Sequence, residues 1–218
     1  MIVVLAQTKG GVGKSTLAVN FAVERSRAGR DVLLVDADDQ ATATDFTALR
    51  TEHLGAPGYT AVALSGPNVR TQVLQMQPKY ADIIIDAGSR DTAGLRAALT
   101  VADVALVPFQ PRSFDLWTLD KVASLITEAK PYRDEPLRTV AVLNFADPAG
   151  LDNAAAAEAL SANEVITYLN TPIGRRKAFA NACSEGRGVC ELKRQDPKAS
   201  AEMTALVRAV FDSIASIS

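Results

Sequence analysis

The sequence predicts an α/β protein built on a doubly wound, mostly parallel sheet. Three observations carry that prediction. Short apolar runs rich in β-branched residues recur along the chain, helical patterns separate them, and a glycine-rich turn joins the first run to the first helix. Strands covered by helices on both faces read as continuous apolar runs rather than as alternating ones. A chain of 218 residues suits a single domain, 1–218, with no room for two full ones.

The first strand is read over 2–6, where Ile2, Val3, Val4, Leu5 and Ala6 carry no polar side chain. A helical pattern follows over 15–28 and closes at Gly29, the residue type that takes the left-handed C′ position most readily. Further strands are expected at 32–35, 83–85, 104–107 and 140–143. Helices are expected at 92–101, at 116–129 (stopped by Pro131) and at 153–160. Such alternation argues for right-handed crossovers, with ligands at the carboxyl ends of the strands. The stretch 54–68, with several glycines and prolines, reads as a connection.

Near the C-terminus, Ala199, Met203, Leu206, Val207, Val210, Phe211, Ile214 and Ile217 fall at helical spacing. A helix lying on a membrane carries Lys and Arg on its polar face. From Ser200 onward only Arg208 is basic, against Glu202 and Asp212, so the helix is read as docking on the core.

No apolar run approaches the ~18–20 residues that span a bilayer. No basic n-region precedes the first strand, so a cytoplasmic protein is expected. Two cysteines, Cys183 and Cys190, and a lone His53 give neither metal-ligand spacing nor a disulfide framework.

The most specific segment is Gln7-Thr8-Lys9-Gly10-Gly11-Val12-Gly13-Lys14-Ser15-Thr16, between the first strand and the first helix. Glycines let backbone N–H groups face phosphate oxygens, and the helix N-terminus adds partial positive charge. Lys14 reaches the β/γ-phosphates and the Ser15 hydroxyl ligates Mg²⁺ in this arrangement, with Gly10, Gly11, Val12, Gly13 and Thr16 completing the cradle. The loop departs from the usual pattern. The position five before Gly13 is Thr8, not glycine, and a second lysine, Lys9, stands at its start. It resembles the deviant Walker A loop of the ParA/MinD group of P-loop ATPases. The resemblance implies that Lys9 reaches across a dimer interface to the partner's nucleotide.

Two acidic strand ends follow. Asp36-Ala37-Asp38-Asp39-Gln40 can serve Mg²⁺ and the attacking water, the two needs of phosphoryl transfer. The segment is similar to the Asp-x-Asp-Pro-Gln motif of ParA proteins, with Asp39 in place of proline. That likeness assigns Asp38 to the hydrolytic water and Asp36 to the metal's water shell. Asp86 ends the run Ile83-Ile84-Ile85, a Walker B arrangement that holds Mg²⁺ through water. Ala87-Gly88-Ser89-Arg90-Asp91, Leu95-Arg96-Ala97-Ala98-Leu99, Pro108-Phe109-Gln110-Pro111 and Asp115-Leu116-Trp117 are similar to a plasmid-type partition subgroup. They also read as ordinary helix and loop packing.

Asn144 ends the strand at 140–143. The family uses an asparagine here for adenine, and an amide can read a purine edge, yet it is equally a turn residue. Net charge is −2, but residues 170–198 hold seven basic side chains against three acidic ones. Arg175, Arg176, Lys177 and Arg187 resemble the DNA-contacting basic stretch of ParA proteins, and composition alone reads equally as a solvated helix end.

The resemblance implies an ATPase using ATP and Mg²⁺ that closes into an ATP-dependent homodimer. It also implies nonspecific DNA binding, nucleoid association, and stimulation by a ParB-like centromere-binding or cargo-adaptor protein. Opening at its first strand, the chain is expected to lack the operator-reading helix-turn-helix domain of larger relatives. A MinD-like membrane-cycling regulator and a metabolic amidating or synthetase enzyme share the scaffold. The C-terminal helix argues against the first, and the sequence shows no substrate constellation for the second.

Overall fold

Successive side chains of a strand point to opposite faces, and here both faces are apolar. Val3, Leu5, Leu34, Ile84, Leu106 and Val142 face one way. Ile2, Val4, Leu33, Ile83, Ile85 and Val107 face the other. A computed structural model of the chain describes residues 1–89, 92–111, 116–147, 152–192 and 196–212. Of the residues singled out in the sequence, Arg90, Asp91, Asp115, Lys193, Arg194, Ile214 and Ile217 lie outside these.

The described strands are β1 (Ile2–Leu5), β2 (Val32–Ala37), β3 (Thr60–Ala63), β4 (Asp82–Ala87), β5 (Val104–Phe109), β6 (Arg138–Ala146), β7 (Thr167–Tyr168) and β8 (Ile173–Gly174). They form one sheet in the order β3-β2-β4-β1-β5-β6-β7, with β8 also paired to β6, and every described pairing is parallel. The helices are α1 (Lys14–Arg27), α2 (Thr42–Leu54), α3 (Asn68–Met76), α4 (Thr92–Leu99), α5 (Leu116–Ala129), α6 (Asp152–Ser161), α7 (Lys177–Ser184) and α8 (Pro197–Phe211). Residues of α1, α2, α7 and α8 join the core on one face of the sheet, and residues of α3 to α6 join it on the other. The doubly wound fold expected from the sequence is the one observed.

All five expected strands are present, as β1, β2, β4, β5 and β6. The connection expected at 54–68 is corrected in part, because β3 lies inside it. Thr60–Ala63 is an edge strand with mostly exposed side chains, so it lacks the apolar run that marks a buried one. The C-terminal helix docks as expected. Asp196 caps α8 by accepting from the Lys198 and Ala199 N–H groups, with Pro197 in the first turn. Six apolar side chains of α8 are then buried, and Phe211 meets Phe21 of α1 edge to face at 5.8 Å.

One buried ion pair ties α2 to the segment after α7. The Arg50 guanidinium donates to both Glu191 oxygens, at 2.7 and 2.9 Å, and also to the Pro57 and Gly186 carbonyls. Gly186 (φ +64°) fits there because a Cβ would strike the Arg50 backbone at 2.6 Å. Burial pushes the Glu191 carboxyl up, but the Arg50 hydrogen bonds and charge and the Gly188 N–H outweigh it and hold the carboxyl below its ordinary value. A depressed carboxyl stabilises the fold above its unfolded pKa, and that stability is lost as pH falls through the folded value. Glu191→Gln is expected to cost roughly 3–5 kcal/mol at pH 7. In urea unfolding, its deficit against the parent should shrink below about pH 4.

Candidate nucleotide site

The strand order fixes which residues can meet. Along the carboxyl edge, β2, β4, β1, β5 and β6 lie side by side, so Asp36, Asp86, the loop after β1, Gln110 and Asn144 are neighbours. Register sharpens this, since Asp36 pairs with Asp86 and Asp86 with Leu5.

Three side-chain amides hold the loop. Gln7 is fully buried. Its Oε1 accepts from the Thr8 and Lys9 N–H groups at 2.8 and 3.3 Å, and its Nε2 donates to the Pro108 carbonyl at 3.3 Å. Gln110 donates to the Gly11 carbonyl at 2.5 Å and Asn144 to the Val12 carbonyl at 2.7 Å. In a planar trans peptide the following N–H points opposite to the carbonyl. Anchoring the Gly11 and Val12 carbonyls therefore turns the Val12 and Gly13 N–H groups to the other side. Gly13 (φ +90°) is the N-cap of α1 and carries no side chain to occupy the helix N-terminus, and a Cβ there would run into the Asn144 amide. The open helix end is an anion site.

Asp86 is fully buried and neither of its oxygens has a hydrogen-bond partner of ordinary geometry. Burial pushes its carboxyl up to about 7. The approaching Ser15 hydroxyl and the Lys14 ammonium pull it down, and the Asp36 and Asp38 charges push it up. Lys14 is 6% exposed. Burial lowers its pKa, while Asp86 and Asp38 draw it back up. An orphaned carboxylate beside a hydroxyl is a hard oxygen donor set, and it fits a Mg²⁺ ion that takes its remaining ligands from phosphate and water.

Asp36, expected near the metal's water shell, has both carboxylate oxygens hydrogen-bonded to the start of α2 and its approach. One oxygen accepts from the Thr44 N–H and hydroxyl, both at 2.8 Å, and the other from the Asp38 N–H at 3.2 Å. Its acceptors serve the start of α2, whose N-cap, Ala41, has no side-chain oxygen to offer. Asp38, by contrast, lines the cleft.

That cleft has a volume of about 630 Å³, and its walls include Thr8, Gly10, Lys14, Ser15, Asp38 and Phe145. Asn144, expected at a purine edge, is 3% exposed and has given its amide to the loop backbone; the cleft is lined by Phe145 instead. Phe145 takes φ +57°, a conformation that costs a non-glycine residue about 1–2 kcal/mol. The roles of Gln7, Gln110 and Phe145 do not follow from the loop motif. For the first two, a signal existed in their position just past an apolar strand run.

The basic cluster divides. Arg175 and Lys177 are exposed. Arg176 is corrected as a DNA contact, because Glu202 of α8 takes its guanidinium in two hydrogen bonds, at 2.5 and 3.0 Å, with Asp196 at 3.9 Å. Arg187 is half-buried and lies 3.6 Å from Glu185.

The raised Asp86 carboxyl has a measurable consequence. Between about pH 4 and 7 the folded protein holds a proton that the unfolded chain has released, so stability falls as pH rises through that window. Asp86→Asn is expected to raise the thermal midpoint of the nucleotide-free protein by several degrees at pH 8. The gain should vanish below about pH 4, and Mg²⁺-dependent nucleotide hydrolysis should be lost at every pH. Calorimetry across pH checks the first two points and phosphate release the third.

Comparison with known proteins agrees with this geometry. The protein named Maintenance of carboxysome distribution protein A from Halothiobacillus neapolitanus is 28% identical over 211 residues, 96% of this chain and 95% of that one. The chromosome-partitioning ATPase Soj of Thermus thermophilus is 35% identical over 127 residues, 56% of this chain and 50% of its own. In structure, the Cyanothece McdA–ATP complex superposes with a TM-score of 0.74 at 16% identity, covering 95% of each chain. The family model for the CobQ/CobB/MinD/ParA nucleotide-binding domain matches residues 3–189. The chain therefore belongs to that family, as a ParA/MinD-type ATPase whose cofactors are ATP and Mg²⁺.

Proposed function

We infer that this ATPase is a dimerising switch that positions a cargo over nonspecific DNA. The observation that carries the reading is the division of labour between two lysines. Lys14 is buried beside Asp86 and Asp38 and serves its own cleft, whereas Lys9 stands at the start of the same loop, where the family resemblance assigns it to a second copy's nucleotide. ATP then closes a homodimer, and hydrolysis dissolves it.

Within each cleft, Lys14 and the loop N–H groups hold the phosphates, and Asp38 orients the water that attacks the terminal one. Mg²⁺, held by Ser15 and Asp86, neutralises phosphate charge when bound. Phosphoryl transfer asks for positioning and electrostatics more than covalent chemistry, so these few groups suffice. The DNA surface is centred on Lys177, with Arg175 beside it. Such contacts give affinity without sequence information. A ParB-like or cargo-adaptor protein stimulates turnover and supplies the cargo. Alignment with a carboxysome-distribution protein over nearly its whole length favours a cargo-positioning role, with DNA segregation as the related possibility in the same family. Burial of the α8 apolar face disfavours a membrane-cycling role for that helix.

Lys14→Ala is expected to abolish ATP binding. Lys9→Ala should spare binding and lose ATP-dependent dimerisation by light scattering; a variant that still dimerises would refute the role in trans. Asp38→Ala should accumulate as an ATP-bound dimer, and undiminished hydrolysis would remove Asp38 from its role. Retention on nonspecific duplex DNA should need ATP rather than ADP and fall steeply with salt. Lys177→Glu should weaken retention without changing ATP affinity. Equal absence of DNA binding with ATP, with ADP and without nucleotide would refute the DNA reading.

A further inference from the structure

A single apolar side chain left in water is ordinary, whereas several together mark an interaction surface. Among the described residues Leu74, Trp117 and Tyr132 are large, apolar and exposed, and two of the three gather at one place. Tyr132, in the turn after α5, stands at the rim of a groove of about 430 Å³ between α3, α4 and α5. Leu74 lies one helical turn beyond Arg70 of α3, which lines the same groove, and residues four apart share a helix face. The groove walls include Ala93 and Ala97 of α4 and Leu125 and Ala129 of α5. Alanine at three of these positions leaves a hollow where longer side chains would have closed the seam between the helices.

The charge around the groove is unbalanced toward positive. Arg96 of α4 pairs with Glu128 of α5, but each is half exposed, so the pair is weak and opens readily. Arg70 makes only long hydrogen bonds to carbonyls, Thr100 at 3.3 Å and Tyr132 at 3.5 Å. No carboxylate among the described residues lies within ion-pair distance of it. Burial lowers the pKa of the neighbouring Arg133, the Asp103 carboxylate raises it, and the Arg70 charge lowers it again. The two guanidiniums are therefore close enough to oppose one another. Asp103 is already committed to the Ile2 N–H, at 2.7 Å.

Such a surface selects its occupant. A two-fold contact with a second copy would bring these arginines against their own counterparts, positive on positive. A small molecule filling the hollow would leave Leu74 uncovered. We propose that the groove between α3, α4 and α5 is the docking site of an acidic, amphipathic segment of a partner protein, which places a large apolar side chain between α4 and α5 and a carboxylate on Arg70. Grooves between helices take amphipathic helices in this way. α4 starts at Thr92, three residues after the cleft-lining Ser89, so the occupant lies along the helix that leaves the nucleotide cleft. The inference gives the partner of the proposed function a surface, yet it stands on the groove alone and needs no nucleotide.

The test is selection of random peptides displayed on phage against the full chain without nucleotide, followed by fluorescence anisotropy of the selected peptides. They should be acidic, and each should carry an aromatic side chain or leucine. Arg70→Glu should weaken them by about tenfold or more, as loss of a charge-assisted hydrogen bond does, and added salt should weaken them as well. Tyr132→Ser should weaken them severalfold, and Ala97→Trp, which fills the hollow, should abolish binding. Arg70 also holds the Thr100 carbonyl, so each variant is first melted beside the parent. Tyr132→Ser, which alters an exposed side chain, decides the matter if Arg70→Glu does not fold. Recovery of no binder would overturn the proposal, as would binders that are basic or lack an apolar anchor. Equal binding by the parent, Arg70→Glu and Tyr132→Ser would do the same. Sedimentation of the free chain tests the remaining occupant, since self-association lost in Tyr132→Ser would place a second copy in the groove and overturn the partner. With no nucleotide present, these outcomes are independent of the ATP-switch reading.

Discussion

The Asp86 carboxylate lies wholly inside the protein, and neither oxygen has a hydrogen-bond partner of ordinary geometry, only the approaching Ser15 hydroxyl. A buried polar group in that condition is expensive to keep, and the structure around it withholds relief. Asp36, its partner in strand register, has given both oxygens to Thr44 and Asp38 and adds only like charge. Lys14, the cation among the described residues that counters it, is itself held below its ordinary pKa by burial. The cleft therefore stores an electrostatic deficit that a divalent cation bound with phosphate can remove. Protonation answers the same deficit, which is why the carboxyl titrates near neutrality in the absence of ligand.

Geometry delivers the ligand to that deficit, and the geometry comes from neutral groups. After β5 and near the end of β6, Gln110 and Asn144 donate to the Gly11 and Val12 carbonyls of the loop, while Gln7, just after β1, accepts from the Thr8 and Lys9 N–H groups and donates to Pro108 of β5. The strand order makes this possible. With β1 between β4 and β5, the loop emerges beside Asp86 on one side and Gln110 on the other. A parallel sheet with another strand between β1 and β4 would separate the cradle from its acid.

Much of this was legible in the sequence, and the remainder was hidden for identifiable reasons. The loop, Asp38 and Asp86 stood out because each follows an apolar run, and a buried strand end is where such chemistry sits. α2 was not foreseen, since it buries Ala43, Phe46 and a charged Arg50 and so carries no apolar stripe. α7, with only Ala178, Phe179 and Ala182 buried, is too short to show a period. β7 and β8 are two residues each. The partners of Arg176 and Asn144 were hidden for a different reason. Composition gives the charge or the amide but not its partner, and Glu202 and the Val12 carbonyl are distant in sequence.

The two ends of α2 show where a switch can move. Its first turn is tied to β2 through the Thr44 hydrogen bonds to Asp36, and its later part to residues 186–191 through Arg50. A helix pinned at both ends moves as a body or not at all. The short link before it is different in kind. Asp39 and Gln40 are exposed, and Ala41 holds φ +52° without glycine's freedom. A residue kept in that conformation favours release when its neighbours rearrange. The stretch from Asp38 to Ala41 thus joins a cleft-lining acid to a fixed helix through a strained hinge.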